Sequence, residues 1–391
     1  MKRIALSTLS LALLGAAGAA HAQNSVTLYG LIDDSIQYTH NATTAGANQF
    51  AMASGNLSGS RWGLKGTEDL GGGLKTIFQL ENGFDPNSGK LGQGSRMFGR
   101  QAYVGLTGDS WGTATIGRQY DPLVDLVQGI TADNYFGSTF ATVGDVDNYD
   151  NSSRTNNAIK YVSPVFAGLQ VEGMYALGGV AGQTGAGQTW SAAAAYNNGP
   201  LSLAAGYFVA QNPRPTTGLR TTWGGTSDGT FDGSNVNSGY ITAKSINIAR
   251  VAAQYVAGPF TMGLGYSNAQ YKADAQSAFG STEKYNTGQG FFNYQATPAM
   301  LVGVGYSYTK SSGDTGATYH QVSLGADYNL SKRTDVYLVG AWAHASGSTR
   351  DGDTTSATYL QSVSASASVG SYGVSGTSSQ EIVSLGIRHK F

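Results

Sequence analysis

Apolar side chains alternate with small or polar ones along many stretches of the chain. In the stretch 300–309, methionine, valine and tyrosine fill the even positions, while glycine, serine and threonine fill most of the odd ones. Successive side chains of a β-strand point to opposite faces, so this pattern predicts strands with one apolar and one polar face. Small residues on the inner face of a closed barrel leave space for water in the lumen. A soluble barrel would fill this space with branched side chains. The same alternation occurs in the stretches 169–175, 201–209 and 260–267.

Sixteen candidate strands can be recognised in this way. Seven short connections rich in glycine, proline and asparagine alternate with eight long connections, as turns and loops would. A barrel of sixteen antiparallel strands with both termini on the periplasmic side needs this alternation. The sequence therefore predicts an all-β, 16-stranded antiparallel transmembrane β-barrel. The candidate strands begin near residues 25, 58, 73, 97, 111, 154, 167, 187, 199, 240, 258, 284, 299, 318, 333 and 379.

The first 22 residues have the pattern of a secretory signal. Lys2 and Arg3 precede an apolar stretch from Ile4 to Ala19, and Ala20-His21-Ala22 matches the small-residue motif of a cleavage site. We therefore expect residues 1–22 to be removed, leaving a barrel domain over residues 23–391.

The last ten residues predict an amphipathic terminal strand. Val383, Leu385, Ile387, His389 and Phe391 fall on one face of it. In water such a strand would be an aggregation-prone edge, whereas in a closed membrane barrel it pairs with the first strand. Its terminal aromatic residue would lie in the aromatic girdle of the barrel. We also expect the outer-membrane assembly machinery to contact Phe391.

Composition narrows the class of protein further. Hydrophobic residues make up 40% of the chain, glycine occurs 56 times, and no run of 18 apolar residues follows the signal, so no helix is expected to span a membrane. The 23 basic and 24 acidic residues nearly balance, which is unlike a nucleic-acid-binding protein. Cysteine is absent, so no disulfide is expected.

Catalysis and cofactor binding find little support in the sequence. The four histidines after the signal show no spacing to serine or metal-ligand residues that recurs in enzymes. The acidic stretch 145–150 could suggest calcium, but it lacks the glycine and the closing glutamate of an EF-hand loop. We interpret it as a solvated acidic loop and expect neither an enzyme, nor a metal, nor a cofactor.

Several segments resemble the trimeric general porins of Gram-negative bacteria. The stretch 60–75 is similar to the second strand and first turn of that family, and the last six residues resemble its betaproteobacterial branch. The resemblance implies a homotrimer in contact with outer-membrane lipid and lipopolysaccharide, acting as a passive diffusion channel for ions and small hydrophilic solutes. The other matching segments are 100–106, 117–119 and 156–161.

In that family the third long loop folds into the barrel and narrows the pore opposite a row of basic residues. The resemblance places this constriction loop at about 119–153. Strand parity independently predicts that Arg61 and Lys65 face inward, because Trp62 and Leu64 face lipid, and that Arg154 and Lys160 do the same. Arg100 shares its parity with outward-facing residues, so a bulge is required there. The implied basic wall comprises Arg61, Arg100, Arg154, Lys65 and Lys160.

The acidic side of the constriction would come from the loop, for which we rank Asp121, Asp125 and Asp145 first. The Pro-Glu-Phe-Gly tip that is usual in the family is missing here. Inward basic residues favour a mild anion preference. Two alternatives remain open: a substrate-specific channel, which would show a run of aromatic residues along the lumen, and an adhesin whose long loops at 212–239 and 346–378 bind a partner. The other acidic residues of the loop are Asp133, Asp147 and Asp150.

Overall fold

The computed structural model describes residues 24–183, 185–228, 234–372 and 375–391. The expected signal peptide lies outside the described residues. Eighteen strands are present within them. They are β1 Ser25–His40, β2 Gln49–Ser54, β3 Arg61–Gly71, β4 Leu74–Gly83, β5 Gln101–Gly108, β6 Gly112–Gln119, β7 Thr155–Val162, β8 Leu169–Ala176, β9 Thr189–Asn198, β10 Leu201–Gln211, β11 Ser245–Ala257, β12 Phe260–Lys272, β13 Glu283–Thr297, β14 Met300–Ser312, β15 Gly316–Asn329, β16 Thr334–Arg350, β17 Ser362–Ser364 and β18 Ser379–Lys390.

Helical structure is confined to short pieces of the connections. Three α-helical turns occur, and four 3₁₀ turns accompany them in the described residues. No helix in the described part of the chain is long and apolar enough to cross a membrane. The α-helical turns are α1 Gly92–Ser95, α2 Pro122–Leu126 and α3 Asp133–Phe136, and the 3₁₀ turns are Gln128–Ile130, Gly137–Phe140, Val143–Asp145 and Ser238–Tyr240.

The wall of the molecule is a closed barrel of sixteen antiparallel strands. β2 and β3 both pair with β1 and together form the second wall strand, while β17 is a short piece of the last loop that pairs only with the end of β16. The last strand, β18, pairs with β1 from Leu31↔Lys390 to His40↔Glu381, which closes the sheet on itself. The predicted fold class is therefore confirmed, and the strands begin within a few residues of the expected positions.

The outward and inward faces follow the alternation of the sequence. On β18, Val383, Leu385 and Ile387 are exposed on the outer face, while Ser384 between them is fully buried. Phe391 follows the strand, and its backbone exchanges two hydrogen bonds of 3.0 Å with Gly30 of β1. The C-terminal residue is thus fixed at the seam of the barrel.

The third loop, residues 120–153, runs along the inner wall. Gln321 of β15 donates to the Thr139 carbonyl at 3.1 Å, and Ser267 of β12 donates to Asp147. The guanidinium carbon of Arg250 on β11 lies 3.8 Å from the centre of the Tyr149 ring. Each of these wall residues is inward-facing, so the loop lies inside the barrel and contacts several strands.

Two other loops also enter the barrel. Val236 and Tyr240 of the connection between β10 and β11 are completely buried, as is Val369 of the last loop, residues 351–378 between β16 and β18. They pack in one apolar cluster with Val143 and Val146 of the third loop. This cluster occupies part of the interior and leaves a polar cavity beside it.

Candidate functional site

Three arginines meet around a polar cavity of about 370 Å³. Arg61 is the first residue of β3, Arg100 directly precedes β5, and Arg154 directly precedes β7. The third loop lines the opposite side of the cavity. The structure therefore brings together the three arginines that the sequence assigned to the basic wall.

Arg100 reaches the cavity without the bulge that strand parity seemed to require. It lies just before β5, so the alternation of that strand does not fix its direction. Its backbone N–H donates to the Glu81 carbonyl at 3.2 Å, and its Nε donates to Glu81 Oε1 at 2.7 Å. Glu81 on β4 thus holds the guanidinium toward the interior.

Tyr120 lies between two of the arginines. Its hydroxyl accepts from Arg100 Nη2 at 2.6 Å and from Arg154 Nη2 at 3.3 Å. The guanidinium carbons of the same arginines lie 5.9 Å and 5.1 Å from the ring centre, within the range of cation–π attraction. The phenol therefore supports two like charges next to each other.

Glu81 is a member of the cluster that the sequence analysis did not identify. It is 4% exposed, and its second carboxylate oxygen accepts from the Tyr29 hydroxyl at 2.8 Å. Gln79 and Glu81 lie two residues apart on β4, so their side chains face the same way, and Gln79 donates to Tyr29 on the inner face. Strand alternation was therefore the signal that could have predicted an inward Glu81.

Arg61 differs from the other two arginines in having no direct partner. Its side chain forms no hydrogen bond or ion pair with another residue in the described part of the chain. Arg100 is paired with Glu81, and Arg154 donates from Nη1 to the Ser152 carbonyl at 3.0 Å. The Arg61 guanidinium is therefore the one of the three that is available to a solute in the cavity.

Asp133 and Asp150 are the aspartates of the third loop that line this cavity. Thr131 and Gln128 donate to Asp133 at 2.6 Å and 2.8 Å. Burial raises the pKa of Asp133 to about 7, despite those two bonds. Burial also raises the pKa of Asp150, which accepts from Ser138 at 2.8 Å. The Asp133 carboxyl is therefore only partly ionised at neutral pH.

The aspartates ranked first from the sequence lie elsewhere in the loop. Asp121 caps α2 by accepting from the Leu123 N–H at 2.8 Å, and Asp145 accepts from the Asp150 N–H at 2.8 Å. Neither lines the cavity of the arginines. Their carboxylates instead satisfy backbone donors inside the loop, a role that is typical of aspartate at helix starts and turns.

Asp125, Lys160 and Lys65 form two contacts away from the arginines. Asp125 accepts a hydrogen bond from Lys160, whose amino group also lies 3.2 Å from the Tyr120 carbonyl. The Lys65 amino group lies 5.2 Å from the centre of the Tyr29 ring. Lys160 is thus tied to the base of the third loop, and Lys65 borders the Tyr29–Glu81 group.

The acidic stretch 145–150 is engaged by protein donors. Thr142 donates to Asp147 at 2.5 Å, and Ser152 donates to Asp145 at 2.5 Å. In the described part of the chain, no three residues of the histidine, cysteine, aspartate and glutamate types lie together as a metal site.

A closed sixteen-strand barrel with an apolar outer face and an arginine-lined polar cavity defines a channel-forming protein of the outer membrane. The family model described as "Gram-negative porin" matches residues 7–348. The chain belongs to the Gram-negative porin family, and it is an outer-membrane porin.

Relatives and solved structures agree with this assignment. An outer membrane porin protein of Bordetella pertussis is 31% identical over 88% of this chain and 94% of its own. Outer membrane porin protein 32 of Delftia acidovorans is 31% identical over 98% and 99% of the two chains. Among solved structures, the anion-selective porin from Comamonas acidovorans superposes with a TM-score of 0.70 at 25% identity, covering 94% of this chain and 100% of that one.

Proposed function

We propose that this porin is a passive general-diffusion channel with a mild anion preference, set at the cavity of Arg61, Arg100 and Arg154. The observation that carries the proposal is the unpaired guanidinium of Arg61 in that cavity. Arginine stays charged at any relevant pH, even when several are crowded together. An anion that enters the cavity therefore meets a fixed cation that forms no direct ion pair with a carboxylate in the described part of the chain.

The charge balance across the cavity favours anions. Glu81 is the carboxylate that pairs directly with one of the arginines, and Arg154 forms no ion pair in the described part of the chain. On the loop side, burial raises the pKa of Asp133 to about 7, so this carboxyl carries less than a full charge near pH 7, and burial also raises the pKa of Asp150. Charged rings and pore width set selectivity in channels, so a net positive ring draws anions through while cations still pass.

We also propose that the third loop, over about 119–153, is the constriction. Its contacts with Lys160, Ser267 and Gln321 support this proposal because they tie the loop to widely separated strands. We assign the acidic side of the constriction to Asp133 and Asp150 rather than to Asp121 and Asp145. Asp125 and Lys160 border the constriction at the base of the third loop, and Lys65 borders it beside Tyr29.

The experiment is to replace Arg61 by glutamine and to record single channels across a tenfold KCl gradient. We expect the reversal potential of Arg61→Gln to move toward zero, because one positive charge that is not ion-paired leaves the narrow point. Arg333→Gln, in the turn between β15 and β16, removes an equal charge far from the cavity and serves as the control. An unchanged reversal potential in Arg61→Gln would contradict the assignment.

We propose that three copies assemble through the outer face of β1 and β3–β6. The exposed large hydrophobic residues of these strands are aliphatic, as in Val26, Leu28, Val104 and Ile116. By contrast, exposed tyrosines and tryptophans occur on the strands from β7 to β16, where an aromatic girdle would face lipid. The mass of the unheated protein in detergent tests this proposal, and a monomer would contradict it.

We propose that the outer face near the long loops contacts lipopolysaccharide phosphates. Lys272, Lys284 and Lys310 follow one another diagonally on β12, β13 and β14, since Gln270 pairs with Lys284 and Asn286 with Lys310. Diagonal neighbours on a sheet are about 7–8 Å apart. A single acidic residue, the fully buried Glu283, occurs on β11–β14. Three like charges with no outward carboxylate favour an anionic headgroup.

This lipid contact is tested with a fluorescent diphosphoryl lipid A in mixed micelles. We expect the variant with glutamine in place of Lys272, Lys284 and Lys310 to retain less lipid than the wild type. A control variant with glutamine at Lys332, Arg333 and Lys390, near the opposite end of the barrel, removes the same charge. Equal losses in the two variants would indicate only bulk attraction and would contradict the proposal.

We propose that residues 1–22 direct export and are then removed, and that Phe391 is read by the outer-membrane assembly machinery. The exposed aromatic ring at the C-terminus, beside the β1–β18 seam, supports the second proposal. Mass measurement of the purified protein tests the first, and the outer-membrane yield of Phe391→Ala tests the second. An intact leader or an unaltered yield would contradict the respective proposal.

A further inference from the structure

A segment of six residues leaves the barrel wall between β2 and β3. Ser54 pairs with Asp34 of β1, and Arg61 pairs with Leu31, so residues 55–60 stand opposite only two residues of β1. A β-bulge usually adds one residue. This inward segment, residues 55–60, therefore does not belong to the wall. It turns into the barrel, where Gly55, Leu57, Ser58 and Gly59 line the arginine cavity.

Asp33 of β1 holds the inward segment by its backbone. The carboxylate accepts from the Leu57 N–H at 2.9 Å and from the Ser58 N–H at 2.7 Å, while its other oxygen accepts from the Tyr337 hydroxyl at 2.5 Å. Its own carbonyl accepts from the Gly55 N–H at 2.9 Å. Asp33 is completely buried, so these bonds satisfy groups that water cannot reach.

Asn56, within the inward segment, is bonded to three separate parts of the protein. Its side-chain Nδ2 donates to Ser35 of the wall at 2.7 Å. Its carbonyl accepts from the Ser138 N–H of the third loop at 3.0 Å. Its side-chain oxygen accepts from the Tyr372 hydroxyl of the last loop at 2.6 Å. One fully buried residue thus joins the wall, the third loop and the last loop.

The close approach of the third loop depends on a glycine. Gly137 has φ +64°, and a Cβ built on it would lie 2.0 Å from the Asn56 carbonyl oxygen. Beside it, Phe136 and Leu57 belong to one buried apolar cluster. The inward segment also touches the basic wall, because a Cβ on Gly59 would lie 3.1 Å from Arg100 Nη1.

We infer that Asn56 is a positioning residue that sets the pore aperture by fixing the third and last loops to the wall at one point. The inference rests on the proposal that the third loop narrows the pore. Without the Asn56 side chain, the wall bond to Ser35 and the bond to Tyr372 are lost together. The last loop also reaches the narrow point through Ser371, which donates to Asp150. The last loop then moves more freely beside the cavity, while the third loop keeps its bond to an Asn56 backbone that the side chain no longer holds to the wall.

The test is single-channel recording of Asn56→Ala. We expect higher mean conductance and larger open-channel current noise, with the sign of the reversal potential unchanged because the arginines remain. Tyr372→Phe removes only the hydroxyl that donates to Asn56, and it should raise the noise in the same direction. This second variant keeps the inference testable if Asn56→Ala fails to assemble.

Asn247→Ala is the matched control. Asn247 is 8% exposed on the outer side of β11, and its side chain accepts from Ser245 and donates to Tyr207. Its replacement should lower heat stability without altering conductance or noise. If the wild type conducts, and Asn56→Ala and Tyr372→Phe have the same conductance and noise as the wild type, this inference alone is overturned. A wild-type trimer that does not conduct would overturn the proposed function and this inference with it.

Discussion

Acidification is expected to strengthen the anion preference of the channel, because it removes the charge of Asp133. Burial raises the pKa of Asp133 to about 7, and the carboxylate lines the same cavity as Arg61 and Arg154. With that pKa, about nine-tenths of the Asp133 carboxyls are ionised at pH 8 and only about 3% at pH 5.5. The arginines do not titrate in this range.

The size of the effect follows from the dimensions of the cavity. A cavity of about 370 Å³ has a radius of about 4.5 Å if spherical, so a carboxylate on its lining lies about 6 Å from an ion at the centre. At that distance in water, one unit charge contributes about 0.7 kcal/mol. This energy corresponds to about a threefold change in the preference for chloride at the centre. A lower local dielectric would increase the effect.

The assay is the reversal potential across a tenfold KCl gradient, measured from pH 5.5 to pH 8. Asp133→Asn should show at pH 8 much of the anion preference that the wild type reaches at pH 5.5. Asp109→Asn, in the turn between β5 and β6, removes an equal charge away from the cavity and should titrate like the wild type. If Asp133→Asn kept the full pH dependence of the wild type, the reasoning would be refuted.

Two further substitutions test the geometry of the site. Glu81→Gln should increase the anion preference, measured as the reversal potential, because it removes the carboxylate that pairs with Arg100. Glu68→Gln, on the same hairpin near its turn, is the control and should leave the preference unchanged. Gly137→Ala should displace the third loop and alter conductance, because its Cβ would clash with the inward segment at φ +64°. Gly129→Ala, whose Cβ would meet no atom within 4 Å, is its control, and equal conductance in the two variants would contradict the argument.

The barrel was predictable because strand alternation is a local signal. Apart from β2 and β17, each strand is eight or more residues long, and the turns carry glycine, proline or asparagine, so strand number and direction follow from the sequence. Arg61, which lies on β3, was likewise predictable by parity. Arg100 and Arg154 each lie one residue before a strand, outside the alternation on which parity depends, so extending the parity of the strand pointed Arg154 inward but pointed Arg100 outward.

The loop side of the site could not be predicted in the same way. The third loop has no repeating pattern, and its conformation is set by contacts with strands far away in sequence, such as Gln321 to Thr139. Which aspartate faces the arginines therefore depends on tertiary packing. Asp121 and Asp145 were ranked above Asp133 and Asp150 because the sequence does not reveal that the former satisfy backbone donors. The inward segment was missed for the same reason, since its anchor, Asp33, lies on another strand.

The central claim is that a positively charged narrow point gives this porin its selectivity. Single-channel recording of the wild-type protein in a planar bilayer with a tenfold KCl gradient tests it most directly. We expect the wild type to conduct with a reversal potential of the anion sign. A potential of the cation sign would contradict the claim and assign the selectivity to the carboxylates of the third loop.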